Sequence, residues 1–190
     1  GVGIWVDEVK IPSGNAVHVR YNSVHDNDGI GLYLEKTQNA FASYNVIHDN
    51  ANVRYTANLG LHGNNGVGIL DSAAYNNTIY GEGWWSVLLG DNQSNFTGNE
   101  FINNVIAPTS SGTHIYIQGD IYQPASQNIV DNNFYVNNGR FEINADATNL
   151  NQRIFSFVNW QSLSGLDQNS FFNSATNLND QTQAKGRNLG

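Results

Sequence analysis

Short runs in which every second residue is apolar recur along this chain: Gly3-Ile-Trp-Val-Asp7, Gly31-Leu-Tyr-Leu-Glu35, Gly66-Val-Gly-Ile-Leu70, Ser86-Val-Leu-Leu-Gly90 and His114-Ile-Tyr-Ile-Gln118. A two-residue period predicts strands with one buried face. After each run comes an asparagine-headed phrase: Asn22-Ser-Val-His-Asp-Asn27, Asn45-Val-Ile-His-Asp-Asn50, Asn77-Thr-Ile-Tyr-Gly-Glu82, Asn99-Glu-Phe-Ile-Asn-Asn104 and Asn133-Phe-Tyr-Val-Asn-Asn138. The leading asparagines are spaced by 23, 32, 22 and 34 residues. Self-similarity at this period is the mark of a solenoid, and the alternation makes its rungs strands. The predicted fold is all-β, a right-handed parallel β-helix of about five coils near 1–28, 29–65, 66–83, 84–112 and 113–139.

Unequal spacing suits such a fold, because each coil stacks only on its neighbours and extra residues leave as loops. The predicted insertions are 51–65, 107–112 and 119–126, and such loops ordinarily wall a groove. The repeated asparagines are expected at bends, in left-handed backbone, with their amides bonded coil to coil. Beyond the fifth coil, Arg140-Phe-Glu-Ile-Asn144 reads as a strand. A short helix is predicted next, with Ser156 as its N-cap, Phe157, Trp160 and Leu163 on one face and Gly165 ending it over the end of the core. One domain over 1–172 and a polar tail over 173–190 complete the plan. Gly1 through Asp7 already reads as a core strand, and an open coil end invites edge pairing. The expectation is that this chain is part of something longer or that another chain covers its N-terminal face.

Composition narrows the chemistry. Only 13% of residues are charged, 19 are glycine, and there is no cysteine, which removes disulfides and thiolate metal sites. A net charge of −8 argues against a nucleic-acid partner. No apolar run reaches membrane-spanning length, so no membrane partner is expected.

The alternation also locates candidate catalytic groups. With Ile4, Val6, Leu32 and Leu34 pointing inward, Trp5, Asp7, Tyr33 and Glu35 point outward. Gly68 and Leu70, then Leu88 and Gly90, then Tyr116 and Gln118 are the expected equivalents on later coils. Asp7 and Glu35 thus fall at one position on adjacent strands roughly 4.8 Å apart. Two carboxyl groups at about 5 Å match the spacing of retaining glycosidases. Trp5 and Tyr33 offer a surface for a sugar ring. A solvated acidic patch or half of a Ca²⁺ site is the competing reading of the same pair.

Gly3-Ile-Trp-Val-Asp7, Val19-Arg-Tyr-Asn-Ser-Val-His-Asp-Asn-Asp28 and Leu32-Tyr-Leu-Glu35 together resemble the catalytic coils of the β-helical β-xylosidases among the glycoside hydrolases. The stretch from Phe157 to Ser170, with its Trp-Gln and Gly-x-Asp-x-x-Ser pattern, resembles the ending of such proteins. The resemblance implies Asp7 as nucleophile, Glu35 as acid/base, a plant-type oligo- or polysaccharide as substrate, no required cofactor, and a secreted or periplasmic bacterial setting. This chain departs from the pattern in carrying Ile11-Pro-Ser-Gly-Asn15 between the two acids.

Substrate contacts are expected from Trp5, Tyr33, His62, Asp71 and Tyr116. His62 lies in the predicted insertion beside the Glu35 coil, while Asp71 and Asp91 either extend the acidic line or end strands. His18, His25 and His48 recur with the repeat and read as outward or turn residues. Of Trp84 and Trp85, one should face inward. A lyase or epimerase on the same fold would need a basic residue, for which Lys36 and Arg54 are available, and a non-catalytic carbohydrate-binding or adhesive segment is the remaining alternative.

Overall fold

The computed structural model describes residues 1–10, 15–90, 95–109, 112–119, 121–144 and 153–173. The tail from 174 onward and Asp91 lie outside the described residues. The first coil contains β1 (Ile4–Asp7), β2 (Val17–Arg20) and β3 (Ser23–His25), and the second β4 (Leu32–Glu35), β5 (Ala40–Ser43) and β6 (Val46–His48). The third holds β7 (Ala57–His62), β8 (Ile69–Leu70), β9 (Ala73–Tyr75) and β10 (Thr78–Gly81). In the fourth are β11 (Trp85–Gly90), β12 (Phe96–Thr97), β13 (Glu100–Ile102) and β14 (Val105–Pro108). The fifth has β15 (Thr113–Gln118), β16 (Ile129–Asp131) and β17 (Phe134–Val136). A partial turn follows, with β18 (Arg140–Asn144), β19 (Arg153–Phe155), α1 (Phe157–Ser164) and β20 (Phe171–Asn173).

Equivalent strands of successive coils pair in parallel, in the orders β1-β4-β7-β11-β15-β18, β2-β5-β9-β13-β16 and β3-β6-β10-β14-β17-β20. The molecule is a parallel β-solenoid, as the alternation predicts. Inward side chains form one continuous core from Leu32 and Leu34 through Leu59, Val87 and Ile115 to Phe141 and Trp160.

Backbone pairing corrects the sequence reading of the third rung. Leu32, Tyr33, Leu34 and Glu35 pair with Leu59, Gly60, Leu61 and His62, so β7 is the rung and 57–62 is not part of an insertion. Gly66 through Leu70 instead leads into β8, which pairs with β12 in a separate two-stranded sheet. Both stretches alternate equally well, and only the hydrogen bonds between coils choose between them.

The asparagine ladder exists with one member changed. Asn22 donates to Asn45, Asn45 to Asn77, Asn77 to Asn104 and Asn104 to Asn133, at sequence separations of 23, 32, 27 and 29. Asn99 belongs to another corner, where it receives Ser72 N–H and donates to Asn128. The left-handed residue is not the ladder asparagine but the one before it: Tyr21, Tyr44, Asn76, Asn103 and Asn132 all have φ between 55° and 61°. That bend turns the next amide inward, where it bonds backbone and the next coil. The asparagines ending the HDN phrases do the same, in the shorter ladder Asn27, Asn50, Asn58.

At the far end α1 forms as expected from its caps: Ser156 Oγ accepts from Asn159 N–H and Gly165 closes the helix at φ 70°. Trp160 is fully buried, while Leu163 points to solvent because the buried stripe passes through Ser164 instead. Trp160 Nε1, Tyr135 OH, Asn133 Nδ2 and Ser170 Oγ all donate to the buried Asp167 carboxyl, which ends the ladder. The Trp-Gln and Gly-x-Asp-x-x-Ser pattern is therefore a structural closure.

Candidate functional site

The outer face of the seven-stranded sheet carries two rows of side chains along the solenoid axis. One row runs Asp7, Glu35, His62, and, beyond Gly90, Gln118 and Asn144. Beside it run Trp5, Tyr33, Gly60, Leu88, Tyr116 and Glu142. Asp7 and Glu35 are direct partners on adjacent parallel strands, the register expected from the alternation.

Pointing outward does not leave these groups in solvent. Glu35 is only 4% exposed and Tyr33 is buried, whereas Trp5 is 56% exposed. Trp5 Nε1 donates to Glu35 Oε2 at 3.0 Å and its ring lies nearly parallel to Tyr33, with centroids 6.4 Å apart. The other Glu35 oxygen accepts from Asn64 Nδ2 at 3.2 Å. Asn64 reaches it from a tight turn in which Asn65 and Gly66 both have positive φ and Asn64 and Val67 exchange backbone bonds. Asn64 was not among the expected site residues; its signal in the sequence is the Asn65-Gly66 dipeptide, a strong hairpin cue.

Lys36 is the cation of the site. Its Nζ lies 3.1 Å from Glu8 and 3.4 Å from Asp7 Oδ1. The bond to Glu8, with smaller help from Asp7 and Glu35, raises the Lys36 ammonium above its ordinary value. Glu8 and Lys36, at φ 53° and 50°, occupy the same left-handed bend on adjacent coils, which brings the ammonium over the first carboxyl. The contact with Asp7 Oδ1 is an ion pair without hydrogen-bond geometry.

His62 bridges the site to later coils. Tyr33 OH and His62 Nδ1 are 3.0 Å apart, and His62 Nε2 meets Gln118 Oε1 at 3.0 Å. That reach across the fourth coil passes Gly90, which puts no side chain in the way. Tyr33 lies against Gly60, where a Cβ would come within 2.8 Å of the ring. Tyr116 stacks on Trp85 at 4.0 Å and accepts from Asn144. Trp85 is buried in a satellite cluster outside the coil interior, with Ile30, Tyr33, Ala57, Leu88 and Tyr116, so neither Trp84 nor Trp85 enters the central core.

Asp71 stands apart. It occupies the left-handed bend between β8 and β9 and accepts from Gln38, off both rows of the face. Of the recurrent histidines, His25 and His48 stack at 4.9 Å, each bonded to the following aspartate, and His48 stacks on Tyr80. Among the described residues no three His, Cys, Asp or Glu side chains gather as a metal cluster, and no helix is long and apolar enough to cross a membrane.

The fold and face define a parallel β-helix carrying paired acids, an exposed indole and a histidine bridge on one sheet. No protein-family model matches the chain, and neither a curated protein nor a solved structure matches it.

Proposed function

We propose that this face binds carbohydrate and that the protein is a retaining glycoside hydrolase, similar to the β-helical β-xylosidases, with Asp7 as nucleophile and Glu35 as acid/base. The observation that carries the reading is the direct pairing of Asp7 with Glu35 on adjacent parallel strands. Neighbouring strands run about 4.8 Å apart, and two carboxyl groups near 5–5.5 Å serve double displacement. Asp7 attacks the anomeric carbon while the protonated Glu35 gives its proton to the departing oxygen. Water then takes the sugar, with Glu35 as base. Lys36 Nζ stands 3.4 Å from Asp7 Oδ1 on the side of the proposed nucleophile, while Glu35 takes its hydrogen bonds from the Trp5 indole and the Asn64 amide. Trp5 must swing from Glu35 for the proton to reach a substrate, and its exposure allows that.

A second reading, a non-catalytic carbohydrate-binding surface, is favoured by one observation: both Glu35 oxygens already accept hydrogen bonds. Turnover separates the two. The chain is incubated with xylo-oligosaccharides and an aryl β-xyloside, and the anomer first released is read by proton NMR. Retention of configuration, loss of turnover in Asp7→Asn, and a loss in Glu35→Gln of about 10²–10⁴-fold that falls mainly on the unactivated substrate support hydrolysis. Binding without turnover supports the second reading, and inversion of configuration rejects the proposed roles of both acids.

A further inference from the structure

Ahead of the starts of β7 and β11, whose other ends lie in the row of the paired acids, stands a second group of aromatic side chains that the catalytic reading does not use. Trp84 is 42% exposed and Tyr55 57%, with ring centroids 5.9 Å apart and edge to face. The Arg54 guanidinium lies over both, 4.6 Å from the Tyr55 centroid and 5.4 Å from that of Trp84. No carboxylate among the described residues forms an ion pair with Arg54, in a chain carrying 16 acidic residues against 8 basic ones. The turn holding Arg54 and Tyr55 is fastened on both sides: Val53 N–H bonds Asp28 of the coil before, Trp84 N–H bonds Ala51, and Trp85 N–H bonds Thr56. Beneath it, Trp85 belongs to the same apolar cluster as Tyr33, two residues from Glu35, so this patch continues the outer face.

We propose that Arg54, Tyr55 and Trp84 form a subsite for an acidic sugar, a uronate residue whose ring lies on the exposed aromatics and whose carboxylate takes the guanidinium. Stacking fixes the guanidinium plane while leaving its N–H edge to a planar anion, which arginine binds in a two-point fashion. Exposed aromatic faces serve the apolar face of a pyranose, and the cation selects the charged ring over a neutral one. The inference rests on the carbohydrate reading of this face but not on the hydrolytic step.

Calorimetric titration with xylotetraose, with the same tetraose bearing one glucuronic acid branch, and with a short poly-glutamate tests it. The branched acid is expected to bind on the order of tenfold or more tighter than the neutral chain, an advantage that shrinks with added salt. Arg54→Gln, an exposed change, should leave the thermal midpoint and neutral binding unchanged and erase the advantage. Trp84→Ala should weaken both sugars. Equal affinity for the two sugars, an advantage that survives Arg54→Gln, or poly-glutamate binding as tightly as the acid sugar would overturn the proposal. If the neutral sugar binds without preference, the subsite falls and the carbohydrate surface stands. If neither sugar binds, the subsite falls as well, and turnover alone then decides the hydrolase reading.

Discussion

Replacing Asn104 with alanine tests what the ladder contributes. Asn104 is 1% exposed and sits in the middle of the stack. Its Oδ1 accepts from the backbone N–H of Asn77 at 3.0 Å and from Asn77 Nδ2 at 3.0 Å. Its Nδ2 donates to the carbonyls of Ala74 and Ile102 and to Asn133 Oδ1. Alanine strands the Asn77 N–H with no acceptor, leaves Asn77 Nδ2 only its bond to Ala42, and takes a donor from two carbonyls. A buried polar group left unpaired costs about 1–3 kcal/mol, so the sum is expected near 3–5 kcal/mol. For a chain of this size that lowers the thermal midpoint by about 10 °C. Asn22→Ala is the control, since Asn22 ends the ladder, is partly exposed, and leaves Asn45 Oδ1 still bonded to the residue 22 N–H; its cost should stay under about 1 kcal/mol. Urea unfolding followed by circular dichroism reads both variants. Equal costs for the two, or a loss under about 1 kcal/mol at Asn104, would refute the argument that burial gives the ladder its energy.

Burial raises the Asp167 carboxyl from 3.8 to about 6, against four donors that pull it down. A carboxyl whose pKa is higher folded than unfolded adds stability below its unfolded value and loses it as pH rises through its folded one. The stability of the native chain relative to Asp167→Asn should therefore grow by about 2 kcal/mol from pH 7.5 to pH 4, and a flat or opposite difference in urea midpoints would reject the assignment. His114 is fully buried among Tyr135, Phe141 and Phe172, and desolvation lowers it to about 3, against smaller opposing contributions from the backbone at Asn137 and Ile106. Its ring should stay neutral at pH 5 in nitrogen-15 spectra, and a charged signature would show that the site admits water. Gly60→Ala places a methyl within 2.8 Å of the Tyr33 ring, which should cost about 1–3 kcal/mol and break the Tyr33 to His62 contact. Unchanged stability and sugar binding in that variant would mean that Tyr33 is not held in place by the gap at Gly60.

Sequence alone determined the class of fold and the pairing of Asp7 with Glu35. Period-two alternation is local, and once strands stack in parallel, in-register residues such as Trp5 and Tyr33 must line up. The caps of α1 were legible for the same reason: Ser156 and Gly165 act on backbone a few residues away. What lies between coils was not legible. Ala57-Asn-Leu-Gly-Leu-His62 and Gly66-Val-Gly-Ile-Leu70 carry the same pattern, and only pairing with β4 made the first a rung and set His62, not Leu70, beside Glu35. Likewise, alternation correctly turned Glu35 away from the core but could not foresee its burial. The groups that cover it, Trp5 and Asn64, stand 30 and 29 residues away. The direction of a side chain follows from its own strand, whereas its cover, its partners and the water it keeps depend on residues that only the stacked coils bring together.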